Sequence, residues 1–353
     1  MPRRGFTLID LAALLVMAST TGLMMLSPGC RLFQAREQAR QLKDATQQRG
    51  IHQSLIVFAQ NNRDRYPLPS QLDLAGNTID VGQEADASRA TLLDSTRHVM
   101  AICLFQGFVP LEMYVSTDEA GRIEVFHDYE FFDPPHAANP RLALWDPAFR
   151  ATPEDSGFGV AEGAAPGGFS YAHTPLFADR LMHWRNTFAA TEAVLANRGP
   201  SYTLDGPAAT GTWQLVADDA GARAAAEADD ARFDTPRGPR SNTLRMFGDD
   251  SAWEGNVVYN DNHTEFHERP DPDTLRFAFT GLDPAARRQN DNIFVNEDDQ
   301  ARTPMDDQNT FGAGVRDRDI YLRSYAGGDA ADPRITMQGK GDARRWSIDV
   351  FLD

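Results

Sequence analysis

Cysteine is nearly absent. The chain has two, Cys30 and Cys103, too few for a disulfide framework even in an oxidising compartment. No cysteine cluster is available for zinc, and no P-loop, dinucleotide fingerprint or nucleophile elbow occurs. Nothing in the residues asks for an enzyme. Basic charge is also short, with a net charge of -17 over 353 residues. Arg3 and Arg4 against Asp10 leave residues 1–30 at +1, and seven bases between Arg31 and Arg65 leave residues 31–65 at +4; the rest carries -22. So acidic a body repels nucleic acid and anionic lipid, and no nucleic-acid partner is expected.

What the chain does have is concentrated at its start. A basic leader ends in Gly5, and Phe6 to Leu26 is then almost wholly apolar. About 20 apolar residues make a helix that spans a bilayer core. Asp10 interrupts the run, although a charge there costs about 2.5–3.5 kcal/mol on insertion scales. A carboxylate kept at such a cost is a functional candidate.

Gly5-Phe6-Thr7-Leu8-Ile9-Asp10-Leu11 resembles the leader of type IV pilins and type II secretion pseudopilins. The resemblance implies cleavage after Gly5 by a prepilin peptidase, methylation of the new terminus Phe6, and an assembly role for Asp10. Glu is usual at that last position, so Asp10 keeps the charge with one methylene less reach. It further implies other pilin-like subunits and an inner-membrane assembly platform as partners. The protein would sit in the inner membrane as a single-pass chain, with residues 6–28 in lipid and the body outside the cytoplasm. Counting basic residues alone would put the body inside, but the cleavage motif is the more specific signal. Ser27-Pro28-Gly29-Cys30 is a poor lipidation signal, since Ser stands where Leu is usual, and Cys30 reads as a plain thiol.

After Pro28-Gly29, Leu32, Ala35, Ala39, Leu42 and Ala45 recur at spacings of three and four, and Ile51, Leu55, Phe58 and Ala59 continue them past Gly50. Residues 29–62 therefore form an amphipathic extension of the membrane helix, ending near Asn61-Asn62. The body, residues 63–353, is expected to be α+β with an antiparallel sheet, in a pilin-like arrangement. Ala90 to Gly107 reads as a second helix and Leu176 to Arg198 as a third. Leu111 to Val115 and Ile123 to His127 read as paired strands. Asn256 to Tyr259 and Thr264 to His267 read as a hairpin about Asn260-Asp261-Asn262, a turn whose residues tolerate left-handed backbone. That stretch, from Trp253 to Phe266, is similar to a C-terminal hairpin of large pilin-like families with this leader. Asp291 to Asp298 also has a family look, with no activity attached. Residues 205–241, rich in Ala, Asp, Gly and Pro, are the candidate for a mobile insertion.

His263 and His267 are four apart, but on a strand that separation is about 13 Å, so they would not share an ion. Asp249-Asp250, Asp298-Asp299 and Asp306-Asp307 with Asn309 are acidic loops. Oxygen ligands at short spacing suit Ca²⁺, and the pseudopilin resemblance implies calcium in a C-terminal loop, so Asp298, Asp299, Asp306 and Asp307 are the metal candidates; no other cofactor is expected. Together these signs point to a structural filament subunit. The competing expectation is a membrane-anchored binding protein or enzyme exported with the same leader, which requires a concave polar site in the body.

Overall fold

The computed structural model describes residues 28–82, 86–160, 165–216, 238–248, 251–305, 308–312 and 318–352. Gly5, Phe6 and Asp10 lie outside them, as do Asp249, Asp250, Asp306 and Asp307 and the whole apolar run before Pro28. Among the described residues no helix is long and apolar enough to cross a membrane. The chain divides into two units, one ending at Lys43 and one starting at Asp44. Within the first unit the described residues are helical, and Ala35, Ala39 and Leu42 are exposed.

Helix α1 (Pro28–Asn61) ends where the spacing places it. Arg63 and Asp64 turn left-handed, at φ 57 and 61°, and the amides of Asn62 and Asp64 both close on Ala59 O. Gly50 does not break the helix. A Cβ there would sit 2.9 Å from Met113 Sδ, so the glycine admits a close neighbour. From Asp44 onward, Ile51, Leu55, Phe58 and Ala59 are buried in the larger of the cores, against Val99, Ile102 and Leu195 among others.

Three short helices follow: α2 (Pro69–Leu72), α3 (Asp86–Leu93) and α4 (Thr96–Phe105). The single helix expected from Ala90 to Gly107 is thus two. The Asp94 carboxylate is taken by the amide and hydroxyl of Ser70, at 2.8 and 2.7 Å, and Ser95 is extended. Residues of this type compete with the helix for hydrogen bonds. Leu111–Tyr114 is a 3-10 turn after Pro110 rather than a strand, and in Ile123 to His127 only Ile123 pairs, through a bridge to Gly167.

Eleven short strands are described in chain order: β1 (Tyr171–His173), β2 (Ala193–Asn197), β3 (Tyr202–Asp205), β4 (Thr212–Leu215), β5 (Gly255–Tyr259), β6 (Thr264–His267), β7 (Arg276–Ala278), β8 (Arg288–Asn290), β9 (Thr310–Gly312), β10 (Ile335–Gln338) and β11 (Arg345–Ile348). The central sheet has the order β1-β2-β5-β6, and β10-β11-β9 form a second one; β3-β4 and β7-β8 are hairpins. All these ladders are antiparallel, so the described fold is α+β. The helix expected over Leu176 to Arg198 is instead a 3-10 turn at Ala178–Met182 followed by strand β2. All five residues of β2 are buried between β1 and β5, and a short apolar run reads alike for a buried helix and a buried strand. Of the 205–241 stretch, residues 205–216 belong to the β3-β4 hairpin and Gly238–Arg240 is a 3-10 turn; the middle lies outside the described residues.

Candidate functional site

The hairpin of β5 and β6 closes through Asn260, Asp261 and Asn262. Tyr259 N donates to His263 O at 3.0 Å, and Asn262 takes the left-handed conformation, φ 69°, as a three-residue hairpin loop requires. The loop is aimed at helix α1. Asn262 Oδ1 meets His52 Nδ1 at 3.0 Å, and its Nδ2 donates to Gln53 Oε1. Asn260 Oδ1 accepts from Tyr66 OH at 2.6 Å, and that phenol also meets His52 Nε2 at 2.9 Å.

One and two turns earlier on the same helix face stand Gln48 and Asp44, at the spacing of four that stacks side chains. Asp44 is wholly buried. Its Oδ1 accepts from Ser116 Oγ at 2.5 Å and from Tyr171 OH at 3.1 Å. Its Oδ2 accepts from Gln48 Nε2 and Asn256 Nδ2, both at 2.9 Å. Gln48 Nε2 also donates to Asn197 Oδ1, which accepts Asn256 N at 2.7 Å. Among the described residues no ion pair reaches Asp44. Asp44, Gln48 and His52 therefore form one buried polar seam that ties α1 to β2, β5 and the hairpin loop. Burying a carboxylate is costly unless its lone pairs are filled, and four neutral donors fill them here.

Burial pushes the His52 imidazole down to about 4 and pushes the Tyr66 phenol up, so near neutral pH neither changes charge. Ser116 Oγ donates to the Asp44 carboxylate and accepts from Asp118 N.

The Asp291 to Asp298 stretch has a structural account. Asn292 N donates to Glu297 Oε1 and Phe294 N to Asn292 Oδ1, so the segment caps itself. Asp319 accepts from Arg180 Nη2 at 2.5 Å and from Glu297 N at 2.9 Å. Burial, and the charges of neighbouring carboxylates, push Asp291 and Glu297 well above the ordinary carboxylate range. Of the metal candidates, Asp298 Oδ1 accepts from the amides of Gln300 and Ala301, and buried Asp299 accepts from Arg318 N. Asp306 and Asp307 lie outside the described residues. Among the described residues no group of three or more His, Cys, Asp or Glu is placed to hold a metal ion. The Nε2 atoms of His263 and His267 both face the Glu265 carboxylate, at 3.9 and 3.6 Å.

Asp44, Gln48 and His52 were missed from sequence because a buried polar residue reads as solvent-facing between apolar neighbours. The available signal was their spacing of four on a helix that must meet a turn rich in Asn. Compared with known protein families, curated proteins and solved structures, the chain matches none.

Proposed function

We propose that the chain is a pilin-like subunit, cleaved after Gly5, methylated at Phe6, anchored by residues 6–28 and assembled through its N-terminal helix into a secretion or pilus-type filament. The observation that carries this reading is the polar seam. A filament subunit bears load along its first helix, and that helix must not slide against its body. Hydrogen bonds from Asp44, Gln48 and His52 fix its register in a way apolar packing does not, because a one-residue slip would strand each buried donor and acceptor at about 1–3 kcal/mol. The leader and the seam are also independent parts of the chain that suit one job. The resemblance extends to Ca²⁺ held from Asp298 to Asn309. N-terminal mass spectrometry of membrane-extracted protein tests the reading: a methylated Phe6 is expected, and a chain beginning at Met1 or at a lipidated Cys30 overturns it.

The second reading, a membrane-anchored binding protein, is favoured by one observation. A cavity of about 980 Å³ opens in the body beside the β3-β4 hairpin, with Trp213, Asp271 and Arg302 among its walls. The two readings are compatible, since a specialised filament subunit can carry a ligand site.

A further inference from the structure

Just past the end of helix α1 a cavity of about 320 Å³ opens between two arginines. After the left-handed pair Arg63 and Asp64, Arg65 meets Arg185 in an antiparallel bridge. The backbone is pinned on both sides of that bridge. Asn186 N donates to Asp64 O, and Asn260 Nδ2 donates to Arg185 O, each at 3.1 Å. Residues opposite one another in such a pair carry their side chains on one face, with Cβ atoms about 4.5–5.5 Å apart. Both arginines line the cavity and both are exposed.

Like charges set directly opposite repel, and the cavity wall does nothing to cancel them, since no carboxylate lines it. Among the described residues neither guanidinium joins an ion pair, in a chain with 51 acidic residues against 34 basic ones. Arg65 Nη1 donates to Gln71 Oε1 at 3.3 Å. Asp179, beside the lining residue Ala178, faces Arg318 at 3.9 Å instead. The remainder of the wall is apolar. Tyr66 OH is taken up by Asn260 and His52, and the Trp184 indole N–H by Pro67 O at 2.8 Å. The 3-10 turn Ala178–Met182 brings in Leu181, half-buried, and Met182, 52% exposed. The side-chain polar atoms left free are therefore N–H donors, from the two guanidiniums and the Gln71 amide.

We propose that this cavity binds a small carboxylic acid with an apolar body. Two guanidiniums side by side take the oxygens of one carboxylate through charge-assisted hydrogen bonds, and its charge offsets their mutual repulsion. The aryl or alkyl body lies against Leu181 and Met182, whose unbranched thioether adapts to varied shapes. An inorganic anion would leave that apolar wall unused, and a neutral ligand would leave the guanidiniums without a counter-charge. The volume is at the low end of the range for small-molecule sites, about 300–1,000 Å³, which suits one ring and a short chain. The site shares no lining residue with the cavity beside the β3-β4 hairpin, and it does not depend on cleavage at Gly5 or on filament assembly.

The test titrates the full chain, in an uncharged detergent at constant concentration, with 4-phenylbutyrate, its neutral amide, the cationic 4-phenylbutylamine, and acetate. Ligand-observed NMR reads the affinities. 4-Phenylbutyrate should bind with a Kd below about 1 mM. The amide and the amine, which lack the negative charge, should bind at least about tenfold more weakly, and so should acetate, which lacks the apolar body. Arg65→Gln with Arg185→Gln changes two exposed side chains, so the thermal midpoint should hold while affinity for 4-phenylbutyrate falls at least about tenfold. Met182→Glu sets a carboxylate in the exposed wall and should weaken the same ligand by repulsion. The proposal is overturned if 4-phenylbutyrate does not bind, if its amide or acetate binds as tightly, or if binding survives the variants unchanged. Should the double variant fail to fold, the acid-against-amide comparison on the unaltered chain still decides.

Discussion

Asp44 and Asn256 stand 212 positions apart and meet at 2.9 Å in the interior. One lies on the first helix and the other on the strand that opens the Asn-rich hairpin, so the contact ties that helix to the central sheet. The seam can be broken at that contact without touching the apolar core around it.

Replacing Asp44 with Ala strands the donors of Ser116, Tyr171, Gln48 and Asn256. At about 1–3 kcal/mol for each donor left unsatisfied, and some relaxation, a loss on the order of 3–5 kcal/mol is expected. Asp44→Asn should cost less, because only one acceptor oxygen becomes a donor. Denaturant unfolding of both variants checks the order. An Asp44→Ala protein as stable as wild type would show that the seam does not hold the helix.

His52 should give the protein a measurable acid sensitivity. Its folded value lies at about 4 against an ordinary 6.5, so the unfolded chain takes a proton that the folded one refuses. The stabilising contribution is whole above pH 6.5 and is lost as the pH falls toward 4. Between pH 7 and 5 wild type should lose about 2 kcal/mol more than His52→Gln. Buried acids such as Asp94, raised to about 7, shift stability the other way, but equally in both proteins, so the difference reports His52.

Two glycines should respond oppositely to alanine. At Gly50 the new methyl meets only the end of the flexible Met113 side chain, and the helix gains up to about 1 kcal/mol from the better helix former. At Gly199 it would sit 2.2 Å from Phe294 Cε2, in a ring packed on Trp253. Overpacking there should cost about 1–3 kcal/mol or more. Paired thermal melts decide both.

Asp10→Ala should leave membrane insertion and cleavage intact while filament incorporation falls, because the charge it removes is costly in lipid unless an assembled neighbour offsets it. Asp10→Glu should assemble at least as well as wild type. Immunoblotting for cleavage and cross-linking for incorporation separate the two effects. Normal incorporation of Asp10→Ala would show that Asp10 has no assembly role.

Chelation should lower the thermal midpoint if the Asp298 to Asn309 loop holds Ca²⁺, and Asp306→Ala with Asp307→Ala should abolish that response. A midpoint that ignores chelator and calcium alike would leave Asp298 and Asp299 as caps on backbone amides and nothing more.

Local rules in the sequence determined the end of helix α1 at Asn61, where Asn side chains and Pro67 stop the spacing. They also determined the hairpin about Asn260 to Asn262, because left-handed backbone and strand alternation are properties of a few adjacent residues. Tertiary structure decided the rest. Whether Ala193 to Asn197 lies in a helix or a strand depends on neighbours in β1 and β5 that are distant in the chain. The break at Asp94 needs Ser70, 24 positions away. Asp44, Gln48 and His52 look like the wet face of a helix until Asn197, Asn256, Tyr66 and Asn262 close over them. Local spacing records where a side chain points, and only the folded chain determines whether water or a hydrogen-bond partner meets it there.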